Sequence, residues 1–278
     1  MAAAKSKAVT KPSTAVAKPK PASVAPVDFD PSADAGMGME GTTQESFAIP
    51  FLSVLQKTSP QVDEADIAFI DGAKAGQFIE TVSKTLFDGK KGVSIIPCAY
   101  RRVFLRWAPL GSEGGFKGEI APEIVARMRE NGQLIDFENK LYFPLEDGTV
   151  NPKRCDHVAD TRNHYILLDN NGVTKECLLS LTSTQIKKSK QLMSLLASKK
   201  NAHGQMLPTF ATVIRATSGP ESNDKGNWYG INFAEEGAVS NKTLYEAAKS
   251  FYKSVVAGAV KANYEKPVAE ATAESTFD

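Results

Sequence analysis

The chain has 278 residues, 42% of them hydrophobic and 23% charged, and its formal net charge at pH 7 is +1. This composition is that of an ordinary globular protein, and no apolar stretch approaches the roughly 20 residues that a membrane helix needs. Because no apolar segment follows Lys5 and Lys7, the N-terminus does not fit a secretory signal, and we expect a cytoplasmic protein.

Residues 1–41 are predicted to form a disordered arm rich in lysine, alanine and proline, and residues 264–278 a disordered acidic tail. Residues 1–26 contain five lysines and no acidic residue, and they show no hydrophobic periodicity. Such a segment buries too little apolar surface to offset the entropy of ordering its backbone. A single folded core is therefore expected over residues 42–263. The arm is interpreted as a tether, with contact to DNA as the alternative.

The first half of this core is predicted to consist mostly of strands. A short helix is predicted to begin at Pro50 and to end before Pro60. Strands are predicted over Phe78–Val82 and Gly92–Trp107, joined by a hairpin-type connection. Pro97 in the second of these strands indicates a bulge or an edge position, because proline cannot donate to a sheet ladder.

The second half is predicted to contain three hairpins and three helices. In chain order these are a helix over Pro122–Glu130, a small hairpin over Leu141–Val150, a hairpin of Asn163–Leu168 with Val173–Leu181, a helix from Thr182 to about Lys199, a strand pair over Phe210–Thr217 and Asn227–Phe233, and a helix from about Ser240. Thr182 and Gln185 have the spacing of a capping box. Because hairpins dominate and βαβ alternation is absent, the fold class is predicted to be α+β and β-rich, with a curved antiparallel sheet or an OB-like barrel and three or four peripheral helices.

No motif of a catalytic or nucleotide-binding site stands out in the sequence. It contains no phosphate-binding loop, no dinucleotide fingerprint and no nucleophile elbow. Cys155, His157 and His164 form the one cluster suited to a metal, but paired cysteines are missing, so no metal and no cofactor are expected. With Cys98 and Cys177 the cysteines are odd in number and widely spaced, which favours reduced thiols in the core.

Aromatic and basic residues alternate on one predicted strand, a combination that single-strand binders use. On a strand, Arg102, Phe104 and Arg106 share one face, and Arg101 and Trp107 share the other. Aromatic rings stack on bases, at roughly 1–3 kcal/mol per base, while cationic groups follow the phosphates. The alternative is that the two rings belong to the core and the arginines are solvated.

Two further segments extend the predicted nucleic-acid site. Trp228 and Tyr229 follow a polar loop and lie on opposite faces of a predicted strand, so one ring is expected to be less buried than the other. Lys187 and Lys190 lie on the polar face of a predicted helix, where they would contact phosphates or, alternatively, only increase solubility.

Three short segments and the tail carry a resemblance to a known class of protein. The segments are Ile49–Leu52, Ser180–Gln185 and Gly226–Gly230, and the tail contains Glu274, Phe277 and Asp278. With strands that bear Arg, Trp and Tyr, the chain resembles the single-stranded DNA-binding proteins of tailed bacteriophages over most of residues 45–262. The resemblance implies a β-barrel core, the coating of single strands during DNA replication or recombination, and binding of replication proteins by the tail.

The sequence therefore predicts a non-enzymatic, sequence-independent single-stranded DNA-binding protein. It would need no cofactor, would act in the host cytoplasm if phage-encoded, and would be compatible with a homo-oligomer. Two alternatives stay open. One is a phage structural or assembly protein whose arm and tail join copies of the chain. The other is an enzyme with a site around Cys155, His157 and His203.

Overall fold

The structure is a computed structural model that describes residues 34, 37–42, 48–109, 112, 115–170, 173–224 and 226–264. The chain divides into two units, Met1–Thr42 and Thr43–Asp278. In the first unit, the described residues form short exposed turns. Most of the predicted arm lies outside the described residues, as do the tail residues Glu274, Phe277 and Asp278. The predicted boundaries of arm, core and tail stay predictions.

The second unit contains eleven described strands and three described α-helices, which confirms the β-rich α+β class. The strands are β1 (Leu52–Val54), β2 (Phe78–Glu80), β3 (Thr85–Phe87), β4 (Val93–Trp107), β5 (Phe116–Ile120), β6 (Ile135–Phe137), β7 (Lys140–Tyr142), β8 (His157–Asn170), β9 (Val173–Thr182), β10 (Thr212–Asn223) and β11 (Gly226–Ala238). The helices are α1 (Pro122–Glu130), α2 (Ile186–Ala197) and α3 (Lys242–Val256).

These strands form two antiparallel sheets, and neither closes into a barrel within the described part of the chain. The smaller sheet has the order β1-β2-β3. The larger one has the order β11-β10-β4-β8-β7-β6, with β5 added beside β4 and β9 beside β8. The open antiparallel sheets confirm one of the two predicted architectures, and the OB-like barrel is not confirmed.

The longest ladder joins β4 to β8, from the pair Ser94–Asp169 to the pair Trp107–His157. The register shifts between Pro97 and Ala99, so the bulge that Pro97 indicated is confirmed. Because β8 is nearly as long as β4, almost the whole of one edge of β4 is paired with β8. The remaining side is shared by β10 at one end and β5 at the other.

Both faces of the central strands are buried. On one face α3 covers the sheet, and on the other face α2 covers it. The first layer is formed by Val103, Leu105, Tyr165, Phe251 and Val255, and the second by Ile95, Ile166, Leu179, Leu192 and Leu196. Since burying one such side chain contributes roughly 1.5–3 kcal/mol, these two layers supply most of the hydrophobic stabilisation.

The helix predicted from Pro50 was wrong, because this segment is strand β1. Phe51 packs in the core under α3, whereas Leu52 packs in the core under α2. Because both faces of this segment are buried, apolar and polar residues do not alternate along it as they do in a half-exposed strand. Its run of apolar residues therefore resembles that of a helix.

Three local predictions after β1 were also wrong. The hairpin expected over 141–150 is formed by β6 and β7 instead, around Glu138 and Asn139 at positive φ. The loop expected after Thr217 is a continuation of the β10–β11 ladder. The capping box fails because the Thr182 side chain makes no capping bond, and a short 3-10 turn precedes α2.

The strongest local signals were confirmed. Helix α1 has the predicted bounds and is followed by Gly132 at a φ of +70°. The β8–β9 hairpin and the last helix are present, the latter capped by the side chain of Asn241. The three cysteines are free and buried, and burial raises the pKa of Cys98 and Cys177 to about 12.

A tight contact between two glycines and a serine joins the small sheet to the large one. The Ser218 backbone N–H donates to the Gly89 carbonyl oxygen (2.8 Å), and the Ser218 hydroxyl donates to the Gly76 carbonyl oxygen. A Cβ atom at Gly89 would overlap that second carbonyl oxygen. The contact therefore requires glycine at this position.

We expect Gly89→Ala to lower the free energy of unfolding by roughly 1–3 kcal/mol, because the added methyl group separates the two sheets at this contact. The measurement is urea denaturation followed by circular dichroism. Gly115→Ala is the matched control, since a Cβ there meets no atom within 4 Å. Equal midpoints for the two variants would contradict the assigned role of Gly89.

Candidate nucleic-acid interface

The two aromatic residues predicted to stack on bases from β4 lie in the core. Phe104 is 5% exposed and packs against α1, and Trp107 is 8% exposed and contacts the ring of Phe116. Arg101 lies on the α3 side, where its guanidinium donates to the Val255 carbonyl at the end of that helix. Their role in nucleic-acid binding stays a prediction, but these positions favour a role in the fold.

The other two β4 arginines are paired with two carboxylates, that of Asp160 in β8 and that of Asp156, the residue directly before β8. Arg102 donates through two nitrogens to Asp160, at 3.0 and 2.8 Å. Arg106 donates to Asp156 at 2.7 Å, and Lys117 donates to the same carboxylate at 2.7 Å. Burial alone would raise the pKa of Asp156, but the hydrogen bonds and charges of Lys117 and Arg106 outweigh burial and lower it. Both arginines are thus ion-paired within the protein, and each carboxylate is shared with a second cation, Arg162 at Asp160 and Lys117 at Asp156.

A different group of predicted residues meets in an open groove between α2 and the tip of the β10–β11 hairpin. The groove has a volume of about 450 Å³. We call it the α2–β11 groove, and its lining residues are Thr184, Lys187, Lys188, Gln191, Glu221, Ser222 and Trp228. Lys187 is exposed, Lys190 is exposed nearly one turn further along α2, and α2 contains no acidic residue. The groove therefore combines an indole with a cationic helix.

Trp228 is half-buried in this groove, and its orientation is fixed by a hydrogen bond. The indole Nε1–H donates to Glu221 at 3.1 Å, and Lys188 donates to the other carboxylate oxygen of Glu221 at 2.7 Å. This ion pair neutralises the one carboxylate of the groove. Lys188 and Glu221 were not predicted as site residues, because only the packing of α2 on β11 shows that they support the ring.

Tyr229, the next residue of β11, belongs to the packing between the sheets. Its ring lies against Gly76, where an added Cβ would come within 2.6 Å of it. Its backbone N–H donates to the Gln56 side chain at 2.8 Å, and its carbonyl accepts from the same amide at 3.0 Å. The side-chain oxygen of Gln185 likewise accepts a hydrogen bond from the backbone N–H of Ile231, at 3.0 Å. Tyr229 is thus held by its backbone and its ring.

The chain matches a model of a known protein family. A family model described as Pam3 phage gp34-like protein matches residues 18–261. The chain belongs to this family. No curated protein and no solved structure shows significant similarity to the chain. The match confirms the phage part of the resemblance, while binding of single-stranded DNA stays a prediction.

The histidines and cysteines of the alternative site are not brought together as a metal site. Among the described residues, no group of three or more His, Cys, Asp and Glu side chains is placed to hold a metal ion. His157 and His164 lie on opposite faces of β8 by the alternation of the strand, and His203 is exposed. Among all residues that the structure describes, no helix is long and apolar enough to cross a membrane.

A buried histidine holds the cationic helix on the sheet. His164 is 1% exposed, and its Nε2 atom lies 2.8 Å from the hydroxyl of Ser189, which is buried on α2. Burial, with the charge of Arg162 as the smaller cause, lowers the pKa of His164 to about 3. The imidazole is therefore neutral in the folded protein at neutral pH.

This burial predicts an acid-sensitive stability. Below pH 6.5 the unfolded chain binds a proton at His164 that the folded chain does not bind, so the free energy of unfolding falls as the pH falls towards 3. The slope from this one group reaches about 1.4 kcal/mol per pH unit. We expect His164→Gln to reduce the slope in denaturation experiments between pH 7 and 4, with exposed His203→Gln as the control. Identical pH profiles for wild type and His164→Gln would show that His164 does not cause the pH dependence of the free energy of unfolding.

Proposed function

We propose that the chain binds single-stranded DNA at the α2–β11 groove, without regard to sequence and without catalysis. The observation that carries the proposal is that Trp228 and Lys187 line one open groove. A half-buried indole offers a flat face to a base, and a lysine beside it offers a mobile cation to a phosphate. A single strand is the ligand that presents both groups at short, regular spacing.

Two features distinguish this groove from an ordinary polar surface and favour binding of a single strand. The Trp228 ring is held by Glu221, so little rotamer freedom remains to be lost when a base stacks on it. The carboxylate that holds the ring is paired with Lys188, and Lys187 and Lys190 are left to attract the phosphates. Among the described residues, the ion pairs in this region belong to Lys188 and Lys199, and neither Lys187 nor Lys190 forms one.

Membership of a phage family suggests in which process and in which compartment this activity would take place. A phage protein that coats single strands would act during replication or recombination in the host cytoplasm. The tail residues Glu274, Phe277 and Asp278 would then bind a replication protein, as the sequence resemblance implies.

Replacement of the indole tests the stacking. We expect Trp228→Ala to weaken binding of a 20-nucleotide oligothymidylate about tenfold, the equivalent of losing one stacked base. Trp228→Phe should retain most of the affinity. Fluorescence anisotropy of a labelled oligonucleotide at low salt is the measurement. Tyr252→Ala, at an exposed aromatic residue on α3, is the matched control. Wild-type affinity for a folded Trp228→Ala variant would refute stacking in this groove.

Salt dependence tests the cationic helix. Each phosphate contact on a single strand contributes about 0.7 to the slope of log K against log salt concentration. The double variant Lys187→Gln, Lys190→Gln should therefore lower the slope by about 1.4. The double variant Lys242→Gln, Lys253→Gln changes two exposed lysines of α3 and should leave the slope unchanged. Equal losses in both double variants would show a diffuse charge effect without a site.

The same preparations test the assembly alternative. Sedimentation of the wild-type chain without nucleic acid should show no large regular oligomer under the proposed function. Large regular particles, together with an absence of binding to the oligonucleotide at low salt, would replace our proposal with the assembly function.

A further inference from the structure

The α2–β11 groove continues past the first turn of α2 into a second concave surface. A small pocket of about 80 Å³ shares Thr184 and Trp228 with the groove, and it shares Thr182 with a larger cleft of about 440 Å³. We call the larger cleft the β8 cleft, because Val158 and Asp160 of β8 form part of its lining. A continuous series of concave surfaces therefore runs from Trp228, past the start of α2, to one end of the β4–β8 ladder.

The exposed lysines of α2 lie between the groove and the cleft. Ile186 lines the β8 cleft, and the next residue, Lys187, lines the α2–β11 groove. Lys190 is exposed and follows about one turn later, at i+4 from Ile186 and i+3 from Lys187. Side chains at these spacings are neighbours on the surface of a helix. The cationic face of α2 therefore borders both sites.

The β8 cleft has more cations than carboxylates. Its charged lining residues are Arg102, Arg129, Lys140, Asp136 and Asp160. Asp160 is paired with Arg102 and also with Arg162, which is opposite Arg102 in the β4–β8 register. Asp136 is paired with Arg129, and Lys140 forms no ion pair with another described residue. Together with Arg162, the cleft therefore has two positive charges in excess of the negative ones.

The ion pairs of the cleft leave its cations accessible to a ligand. The side chains of Arg102 and Arg129 are 42% and 52% exposed, and that of Asp136 is 56% exposed. An exposed ion pair contributes little to stability, because water and salt screen it. Both arginines can therefore contact a phosphate at little cost to the fold.

The two largest rings in the lining are not available for stacking. Phe104 is 5% exposed and Trp107 is 8% exposed. The β8 cleft therefore offers mainly charged groups, whereas the α2–β11 groove offers the half-buried indole of Trp228. This difference fits a strand that stacks a base in the groove and places its backbone in the cleft.

We propose that one single strand occupies both sites. It stacks a base on Trp228, crosses the exposed lysines of α2 and places its next phosphates in the β8 cleft, where Lys140 and Arg129 are the main contacts. This inference rests on the proposed function and extends it, because it gives the binding site a path and a minimum length. A free phosphate ion would meet the same cations, but its binding would not be coupled to Trp228.

Strand length tests the path. Single-strand sites of one domain cover roughly 4–16 nucleotides, so oligothymidylates of about 4 and about 20 nucleotides separate the groove alone from groove and cleft together. We expect the double variant Arg129→Gln, Lys140→Gln to bind the longer strand about tenfold more weakly. Its slope of log K against log salt concentration should fall by about 1.4. Its affinity for the shorter strand should equal that of wild type. Quenching of tryptophan emission at low salt is the measurement for both lengths.

Two control variants separate the path from general charge and from misfolding. The double variant Arg215→Gln, Lys249→Gln also removes one ion-paired arginine and one half-buried lysine, but on β10 and α3, outside the lining of both sites. It should leave both affinities unchanged. The single variant Lys140→Gln keeps the ion pair of Arg129 and should lower the salt slope for the longer strand by about 0.7. Urea denaturation followed by circular dichroism checks that each variant is folded.

Each outcome decides the inference. A loss confined to the longer strand supports the path. Equal losses for both lengths, or no loss for either, overturn it, while the effect of Trp228→Ala still tests the α2–β11 groove separately. Binding of inorganic phosphate that is lost in Lys140→Gln, without an effect of strand length, would show a simple anion site and also overturns the path. If the wild-type chain binds neither strand, the proposed function fails and this inference fails with it.

Discussion

The ladder between β4 and β8 is the constraint on which the rest of the structure depends. It runs from Ser94–Asp169 to Trp107–His157, and every other strand of the large sheet is attached to one of these two or to their neighbours. Both faces of the ladder are covered, by α3 and by α2. The helix with the free lysines is positioned by His164 on this ladder, and the β8 cleft is at the ladder's end. Both candidate sites are therefore consequences of one pairing.

The same ladder explains why alternating arginines and aromatics on β4 are ambiguous in sequence. On a strand with one solvated face, such a pattern would present cations and rings to a ligand. Here Arg102 and Arg106 find carboxylates 58 and 50 residues away in sequence, across the ladder or beside it. No local pattern indicates which arginine has such a partner. An exposed arginine and an ion-paired one are therefore indistinguishable until the register is known.

Sequence alone could predict what short-range forces determine. Helix α1, with its terminal glycine, and the β8–β9 hairpin depend on residues close in the chain, and both are present. The pairing of β1 with β2 and the packing of α2 on β11 depend on distant residues, and neither was predicted. The site followed the same division. Lys187 and Trp228 were recognised as residue types, but their meeting in one groove depends on tertiary packing, as does the sharing of Asp160 by two arginines.

The glutamines beside β11 bear on how this chain behaves at high concentration. An outer strand exposes peptide groups that another strand can pair with, and sheets grow by that route. Gln56 meets the N–H and the carbonyl of Tyr229, and Gln185 meets the N–H of Ile231, so side-chain amides stand where the peptide groups of an added strand would be. Further along β11, Glu235 is paired with Lys199, which follows α2, and Glu236 is paired with Arg215 of β10. At Tyr229 and Ile231 the edge of the sheet is thus already hydrogen-bonded to side-chain amides, which opposes the addition of a strand from another copy there.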